Sequence, residues 1–295
     1  MPQALAELHE RGVINIGTVR QVSLHRPGED GATGVVALDR GAGPELVVKI
    51  DDPSALSAVI RFHQAYRGTP LVPALRHADP ESRFVAYDFV AGELGRGLEP
   101  PPDKAATLLA IAEELLSQYV PVPSATPGRL HAPWLPASFR WRTWQQYLAA
   151  VLHGRHDQVH AHLPGDAAAL VEEIAASPRR HADGPLYLMH GDCGAHNFVF
   201  RDDRLVGVID PAPMVGEPIF ELAFAFASWP ADLTLDANVR IVRVPPPPRE
   251  ARRALIEEVL IALYSRTGTF VVNRPGDVPA YLDAWTRWTE LLAQA

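Results

Sequence analysis

Two short stretches decide the fold of this chain: LMHGDCGAHNFVF at Leu188–Phe200 and LVGVIDP at Leu205–Pro211. The first places Asp192 and Asn197 in a loop between apolar runs, and the second places Asp210 directly after one. Apolar runs of this length beside turn residues are typical of β-strands, so they predict a hairpin that brings Asp210 back to the loop. Carboxylate and amide oxygens are ligands that Mg²⁺ prefers. The spacing therefore predicts a magnesium site beside a β-hairpin.

The same spacing suits phosphoryl transfer, in which a base and the metal ligands share one loop but face different atoms. Asp192 can accept the proton of an attacking hydroxyl, while Asn197 and Asp210 hold Mg²⁺ beside a triphosphate. An aspartate in such a loop can also cap a turn through neighbouring backbone amides. That simpler interpretation does not explain the asparagine and the second aspartate that follow, so we favour the catalytic one.

The order H-x-D-x-x-x-x-N, a hairpin, then I-D resembles the catalytic and metal loops of the eukaryotic-like kinase superfamily. The variant H-G-D with I-D-P is similar to the aminoglycoside phosphotransferase (APH) family. The segment IDPAPMVGEPIFELA at Ile209–Ala223 also resembles that family, with Glu217 and Glu221 in place of two aspartates that support the loop. The resemblance implies an α+β, bilobal protein-kinase-like fold, with a small antiparallel β-sheet N-lobe and a larger, mostly helical C-lobe.

Hydrophobic periodicity divides the chain in the same way. Short β-branched runs and one helix occupy the first part, and helical spacing dominates after Gly97. We expect an N-terminal nucleotide-binding lobe at 1–90, a hinge at 91–97 and a C-terminal lobe at 98–295 that carries the catalytic and substrate sites. The predicted strands are 19–25, 34–39, 45–51 and 84–90, and the predicted helices are 52–66, 103–119, 143–153, 166–176, 250–267 and 278–292.

The first lobe offers candidate nucleotide contacts. Lys49 ends the third predicted strand, where an isolated lysine is usually a solvated edge charge. The resemblance instead implies that Lys49 contacts the α- and β-phosphates of ATP or GTP. It also implies that backbone groups around Asp88, Phe89 and Val90 bind the adenine edge.

Two features of that lobe depart from the family pattern. The helix predicted at 52–66 lacks the glutamate that normally pairs with the strand lysine, and Gln64 and Asp51 are weak substitutes. The glycines at 27–34 lack G-x-G-x-x-G spacing. These departures support an alternative from another class, a nucleotide-binding regulatory protein of the pseudokinase type with little or no transferase activity.

The two histidines of the loop allow a further alternative. His190-x-Asp192-x-x-x-His196 also suits a binuclear metal hydrolase, although the sequence shows no second His/Asp cluster of that kind. In the kinase interpretation, His190 is a buried anchor that bonds backbone or the Asp210 segment, and His196 stands where the family has glycine.

Composition excludes several classes of partner. The net charge of −8 disfavours nucleic acid and mildly favours a cationic ligand. No apolar run reaches the ~18–20 residues that a membrane span needs, and the N-terminus lacks a signal-peptide pattern, so we expect a cytoplasmic protein. Cys193 is the single cysteine, which excludes an intrachain disulfide. The expected partner is a small molecule with a hydroxyl group, either an aminoglycoside, as in antibiotic resistance, or a related metabolic amino alcohol.

Overall fold

The structure of the chain is a computed structural model that describes residues 2–15, 17, 20–23, 34–39, 41–81, 83–95, 103–123, 141–177, 185–233 and 249–295. The glycine-bearing segment at 27–33, the end of the predicted hinge at 96–97 and both ends of the first predicted strand lie outside these residues.

An antiparallel five-stranded sheet forms the N-terminal lobe, in the order β1-β2-β3-β5-β4. Its strands are rich in β-branched and aromatic residues, which favour a pleated surface. The strands run β1 Arg20–Ser23, β2 Gly34–Asp39, β3 Pro44–Ile50, β4 Leu75–Ala78 and β5 Phe84–Asp88.

Two helices cover the two faces of this sheet. Helix α1 (Pro2–Glu10) packs on one face, and α2 (Pro53–Ala65) packs on the other. Asp52 begins α2 by accepting a hydrogen bond from the Ser54 amide at 2.9 Å. The C-terminal part of α2 also joins the main core, since Phe62 and Tyr66 belong to it. Helix α2 therefore connects the sheet to the second lobe.

Helices dominate the C-terminal lobe. The predicted helix at 103–119 is one helical run that changes type, from α through a π-turn at Ile111–Leu115 to a 3₁₀ turn at Leu116–Gln118. The α-helices are α3 Lys104–Ala110, α4 Trp144–His153, α5 His156–Val159, α6 Ala167–Ala175, α7 Pro218–Phe226, α8 Arg249–Asn273 and α9 Val278–Gln294. Among the described residues, no helix is long and apolar enough to cross a membrane.

The predicted end of α8 was wrong. We expected the helix to end at Thr267, before Gly268, but it continues to Asn273. A Cβ atom at Gly268 would lie 2.9 Å from Oε1 of Gln158 and 3.0 Å from Cδ of Arg155. The glycine therefore allows a close helix approach and does not end the helix.

Two small sheets carry the candidate catalytic segment. Strand β8 (Phe198–Arg201) pairs with β9 (Arg204–Val208) to form the predicted hairpin, and with β6 (Glu93–Leu94) of the hinge. Strand β7 (Tyr187–Met189) pairs with β10 (Met214–Gly216). The loop between β7 and β8 is thus fixed at both ends and lies next to the hinge.

A buried lysine links α3 to the residues after α7. Nζ of Lys104 donates to the Ala231 carbonyl at 2.8 Å and lies 4.3 Å from the Phe226 ring centroid. Burial lowers the pKa of the Lys104 ammonium to about 7, with Asp232 opposing the shift.

We expect the free energy of unfolding of the Lys104→Met variant to change less between pH 10.5 and 7 than that of the wild type. In the folded state the pKa of Lys104 is lower than its ordinary value of 10.5. The contribution of the buried lysine to the free energy of unfolding is therefore full above pH 10.5 and is lost as the pH falls toward 7. The unfolding free energy of the variant relative to wild type should rise by on the order of 4 kcal/mol between pH 10.5 and 7. Urea unfolding at several pH values measures this difference, and a constant difference would contradict the buried-lysine assignment.

Candidate active site

The loop between β7 and β8 brings Asp192 and Asn197 into direct contact. Nδ2 of Asn197 donates to the Asp192 carbonyl at 2.9 Å and to Oδ2 of the Asp192 carboxylate at 3.0 Å. Asn197 is buried, and its amide nitrogen is committed to these two bonds. Its side-chain oxygen is therefore the atom left to bind a cation.

His196 contacts the same carboxylate. Its Nε2 lies 2.8 Å from Oδ2 of Asp192, and both side chains are about one-third exposed (36% and 37%). Burial opposes ionisation of Asp192, but the hydrogen bond and charge of His196, together with His190 and Arg266, lower the pKa of the Asp192 carboxyl. The sequence grouped Asp192 and His196 only as candidate metal ligands, because their direct contact depends on the 3₁₀ turn at Ala195–Asn197.

This contact does not support the binuclear hydrolase alternative. In a binuclear hydrolase, His196 and Asp192 would both bind a metal ion, but here His196 is hydrogen-bonded to the Asp192 carboxylate. Throughout the described part of the chain, no group of three His, Cys, Asp or Glu side chains is placed to hold a metal ion.

A buried glutamate fixes the start of the loop. Glu221 of α7 accepts hydrogen bonds from the amides of Gly191 and His190 and from the Tyr119 hydroxyl. Burial raises the pKa of the Glu221 carboxyl to about 7, although these bonds favour its charged form. The support role that the family resemblance implied for Glu221 agrees with these contacts. Tyr119 was expected only as the last residue of the predicted helix at 103–119.

The glycine before Asp192 is required by its surroundings. Gly191 has φ +83°, and a Cβ atom there would lie 1.8 Å from the Ala212 carbonyl oxygen. A side chain is excluded by both the conformation and the space. The HGD pattern therefore reflects a tight approach between the loop and the segment after Asp210.

His190 connects the loop to that segment. Its Nε2 lies 3.0 Å from the Ile209 carbonyl oxygen, and its Nδ1 accepts a hydrogen bond from the Asp192 amide at 3.3 Å. Burial lowers the pKa of His190 to about 4, so the ring is neutral at pH 7. This geometry agrees with the anchoring role predicted for His190.

Asp210 lies where β9 ends and faces Lys49 of the other lobe. Nζ of Lys49 lies 2.7 Å from Oδ1 of Asp210, and 4.0 Å from Oδ2 of Asp51. Asp210 adopts a left-handed backbone (φ 54°), which is strained for a residue with a Cβ and is common at functional sites. Its side chain is 55% exposed, so the carboxylate remains accessible.

The residues predicted to bind the adenine edge are partly committed to the sheet. The amide of Asp88 donates to Ala74 and that of Phe89 to Glu45, at 3.0 and 2.9 Å. The Asp88 side chain forms a bidentate ion pair with Arg76. These amides are therefore poor candidates for the adenine edge.

One contact beneath the loop was not expected from the sequence. The guanidinium of Arg266 in α8 lies 3.7 Å from the Phe224 ring centroid and is buried. A Cβ atom at Gly194 would lie 2.5 Å from Nη2 of Arg266. Arg266 therefore packs against the loop at Gly194. This contact depends on how α7 and α8 pack together, which the sequence does not show.

We expect His196→Phe to lower kcat while leaving the KM for nucleotide unchanged. The change removes one of the two donors that hold Oδ2 of Asp192. A hydrogen bond to a charged group is worth about 1.5–3 kcal/mol, so a loss of about 10-fold is expected. His196→Gln, which keeps a donor, should recover part of the rate. Equal rates for wild type and His196→Phe would contradict a positioning role.

Solved structures share the fold over nearly the whole chain at low sequence identity. A thermostable mutant of aminoglycoside phosphotransferase APH(4)-Ia, in ternary complex with AMP-PNP and hygromycin B, is 16% identical, with a TM-score of 0.54 and 98% of each chain covered. Macrolide 2'-phosphotransferase MphH from Brachybacterium faecium is 18% identical, with a TM-score of 0.53 and 97% of each chain covered. Choline kinase from Cryptosporidium parvum Iowa II is 12% identical, with a TM-score of 0.57, and the match covers 100% of this chain and 97% of that one.

These likenesses confirm the predicted α+β, kinase-like fold. No curated protein sequence matches the chain. Residues 25–255, well over half of the sequence, match the profile of the phosphotransferase enzyme family APH. The chain therefore belongs to the APH phosphotransferase family, as its sequence motifs predicted.

Proposed function

We propose that this protein is a small-molecule kinase that transfers the γ-phosphoryl group of ATP to a substrate hydroxyl. One observation carries the proposal. Asp192 and Asn197 are hydrogen-bonded to each other in one loop, and Asp210 reaches Lys49 at 2.7 Å beside that loop. A base, two hard oxygen ligands and a lysine are the groups that phosphoryl transfer requires.

In this proposal Asp192 orients the attacking hydroxyl. Its Oδ2 is held by His196 and Asn197, so Oδ1 would accept the hydroxyl proton. The substrate oxygen forms a bond to the γ-phosphorus, and the bond from that phosphorus to the β–γ bridging oxygen breaks. ADP leaves with the electron pair of that bond, and the proton passes to Asp192.

The donor set fits Mg²⁺. Asn197 offers its side-chain oxygen and Asp210 an accessible carboxylate, and both are hard oxygen ligands. When bound, the ion would neutralise charge on the triphosphate. Lys49 would bind the phosphates that are not transferred.

The base of the nucleotide is expected beside the end of β5, just before the predicted hinge. Because the Asp88 and Phe89 amides are used within the sheet, we assign the adenine edge to the remaining backbone groups of Asp88–Val90. Relatives solved with ADP and AMP-PNP support an adenine nucleotide.

The proposed acceptor is an alcohol, such as an aminoglycoside or a related amino alcohol. The structural neighbours include a complex with hygromycin B, a macrolide 2'-phosphotransferase and a choline kinase. Hygromycin B, macrolides and choline all carry hydroxyl groups. The net charge of −8 is compatible with a cationic acceptor.

The alternative remains a nucleotide-binding protein of the pseudokinase type. It is favoured by the absence of a glutamate from α2, all of whose residues the structure describes. ADP release from Mg·ATP, measured across a panel of aminoglycosides, macrolides and amino alcohols, separates the two. Acceptor-dependent ADP release supports the kinase, while tight Mg·ATP binding without transfer to any acceptor favours the alternative.

A further inference from the structure

We infer that His63 of α2 positions Lys49 in the nucleotide-bound protein, taking the place in which a glutamate was expected. The inference rests on the proposed kinase function. It assigns a neutral acceptor, and not an anion, as the helix partner of the lysine.

The strand register places His63 over the sheet face from which Lys49 projects. Val47 pairs with Tyr87 and Lys49 pairs with Val85, so these four residues share one face of β3 and β5. The imidazole of His63 stacks on the Tyr87 ring, with centroids 4.9 Å apart and planes 17° apart. Burial lowers the pKa of His63 to about 4, and the positive charge of Lys49 makes a smaller contribution in the same direction.

The hydrogen bonds of His63 define its tautomer. Nδ1 lies 3.0 Å from the Pro73 carbonyl oxygen. A carbonyl oxygen can only accept, so Nδ1 carries the hydrogen and Nε2 presents a lone pair. Nε2 is fully buried and has no hydrogen-bond partner among the residues that the structure describes. An unpaired buried acceptor of this kind needs a donor, and Lys49 is a donor on the same sheet face.

Lys49 has donors to spare. Its ammonium carries three N–H groups, one of which is directed at Oδ1 of Asp210. Asp51, at 4.0 Å, lies beyond hydrogen-bond distance, and Gln64 is exposed on α2. Once Asp210 serves as a metal ligand, a bond to Nε2 of His63 would keep Lys49 directed at the phosphates. A neutral partner leaves the full charge of Lys49 to the nucleotide.

The first test compares nucleotide affinity in His63 variants by calorimetry with Mg·AMP-PNP. His63→Phe keeps the ring that stacks on Tyr87 but removes the acceptor, and should raise the Kd about 10-fold, the lower end for a hydrogen bond to a charged group. His63→Gln keeps an acceptor and a donor, and should stay within about 3-fold of wild type. The KM for the acceptor substrate should not change in either variant.

A second, partly buried histidine of the N-terminal lobe supplies a matched control. The ring of His77 in β4 stacks on the ring of Phe84 in β5, with centroids 5.4 Å apart, and its Nε2 lies 3.5 Å from Oε1 of Glu7 in α1. His77→Phe should leave the Kd for Mg·AMP-PNP unchanged. Equal losses in the His63→Phe and His77→Phe variants would show a general packing effect and overturn the inference.

A measurement on the unaltered protein covers the case in which His63→Phe does not fold. The ¹⁵N resonance of Nε2 in His63 should move toward the hydrogen-bonded range when Mg·AMP-PNP is added. An Nε2 resonance that does not move while the nucleotide is bound would overturn the inference and leave the kinase function intact. A wild-type protein that binds no nucleotide would overturn the proposed function, and this inference with it.

Discussion

Asp192→Asn is expected to reduce kcat by about 10²–10⁴-fold, the contribution of a positioned general base. The amide has nearly the shape of the carboxylate, so the contacts to His196 and Asn197 can largely persist, but it cannot accept a proton from the substrate. The Kd for Mg·AMP-PNP should change by less than about 3-fold, because Asp192 faces the acceptor in this account. Steady-state kinetics together with calorimetry measure both quantities.

Asp203→Asn is the matched control for this prediction. Asp203 is an exposed aspartate in the turn between β8 and β9, with φ 59°, a conformation that asparagine tolerates. Its activity should equal that of wild type. An Asp192→Asn variant with unchanged kcat would show that Asp192 is not the base.

Asp210→Asn is expected to weaken binding of Mg·AMP-PNP by at least about 10-fold, and to lower kcat as well. Even residues in the outer shell of a metal site typically contribute 10–100-fold to metal affinity, and Asp210 is a proposed direct ligand. The substitution removes a charge but preserves the left-handed backbone at φ 54°. Affinity for AMP-PNP without metal should not fall, because loss of the carboxylate frees Lys49, which is 2.7 Å away.

Calorimetric titrations with and without Mg²⁺ separate these effects. A metal-dependent loss is expected. An equal loss of affinity in both titrations would indicate that Asp210 acts only through Lys49, and would contradict its role as a metal ligand.

Local sequence patterns predicted the elements that hold the site. The hairpin at 198–208, the helix at 53–65 and the strands around Lys49 lie close to their predicted bounds, because alternation and capping residues are local signals. The end of α8 was predicted at about Thr267, although the helix continues to Asn273, because the packing that accommodates Gly268 involves residues far away in the sequence.

The contacts that refine the site could not be predicted in this way. The bond of His196 to Asp192 depends on a 3₁₀ turn. The bonds of Glu221, whose supporting role only the family resemblance implied, join residues 30, 31 and 102 positions apart. His63 stacks on Tyr87, and the register of β3 with β5 brings Tyr87 to the same sheet face as Lys49. This register cannot be read from the sequence. The sequence therefore offered only Gln64 and Asp51 as weak partners for Lys49.

The most direct test of the account is a crystal structure with Mg²⁺ and AMP-PNP. We expect one cation that binds the side-chain oxygens of Asn197 and Asp210 at about 2.0–2.1 Å and also binds phosphate oxygens of the nucleotide. Asp192 should not bind the cation, and one of its carboxylate oxygens should face the γ-phosphate. A nucleotide bound elsewhere, or a cation that neither Asn197 nor Asp210 contacts, would contradict the account.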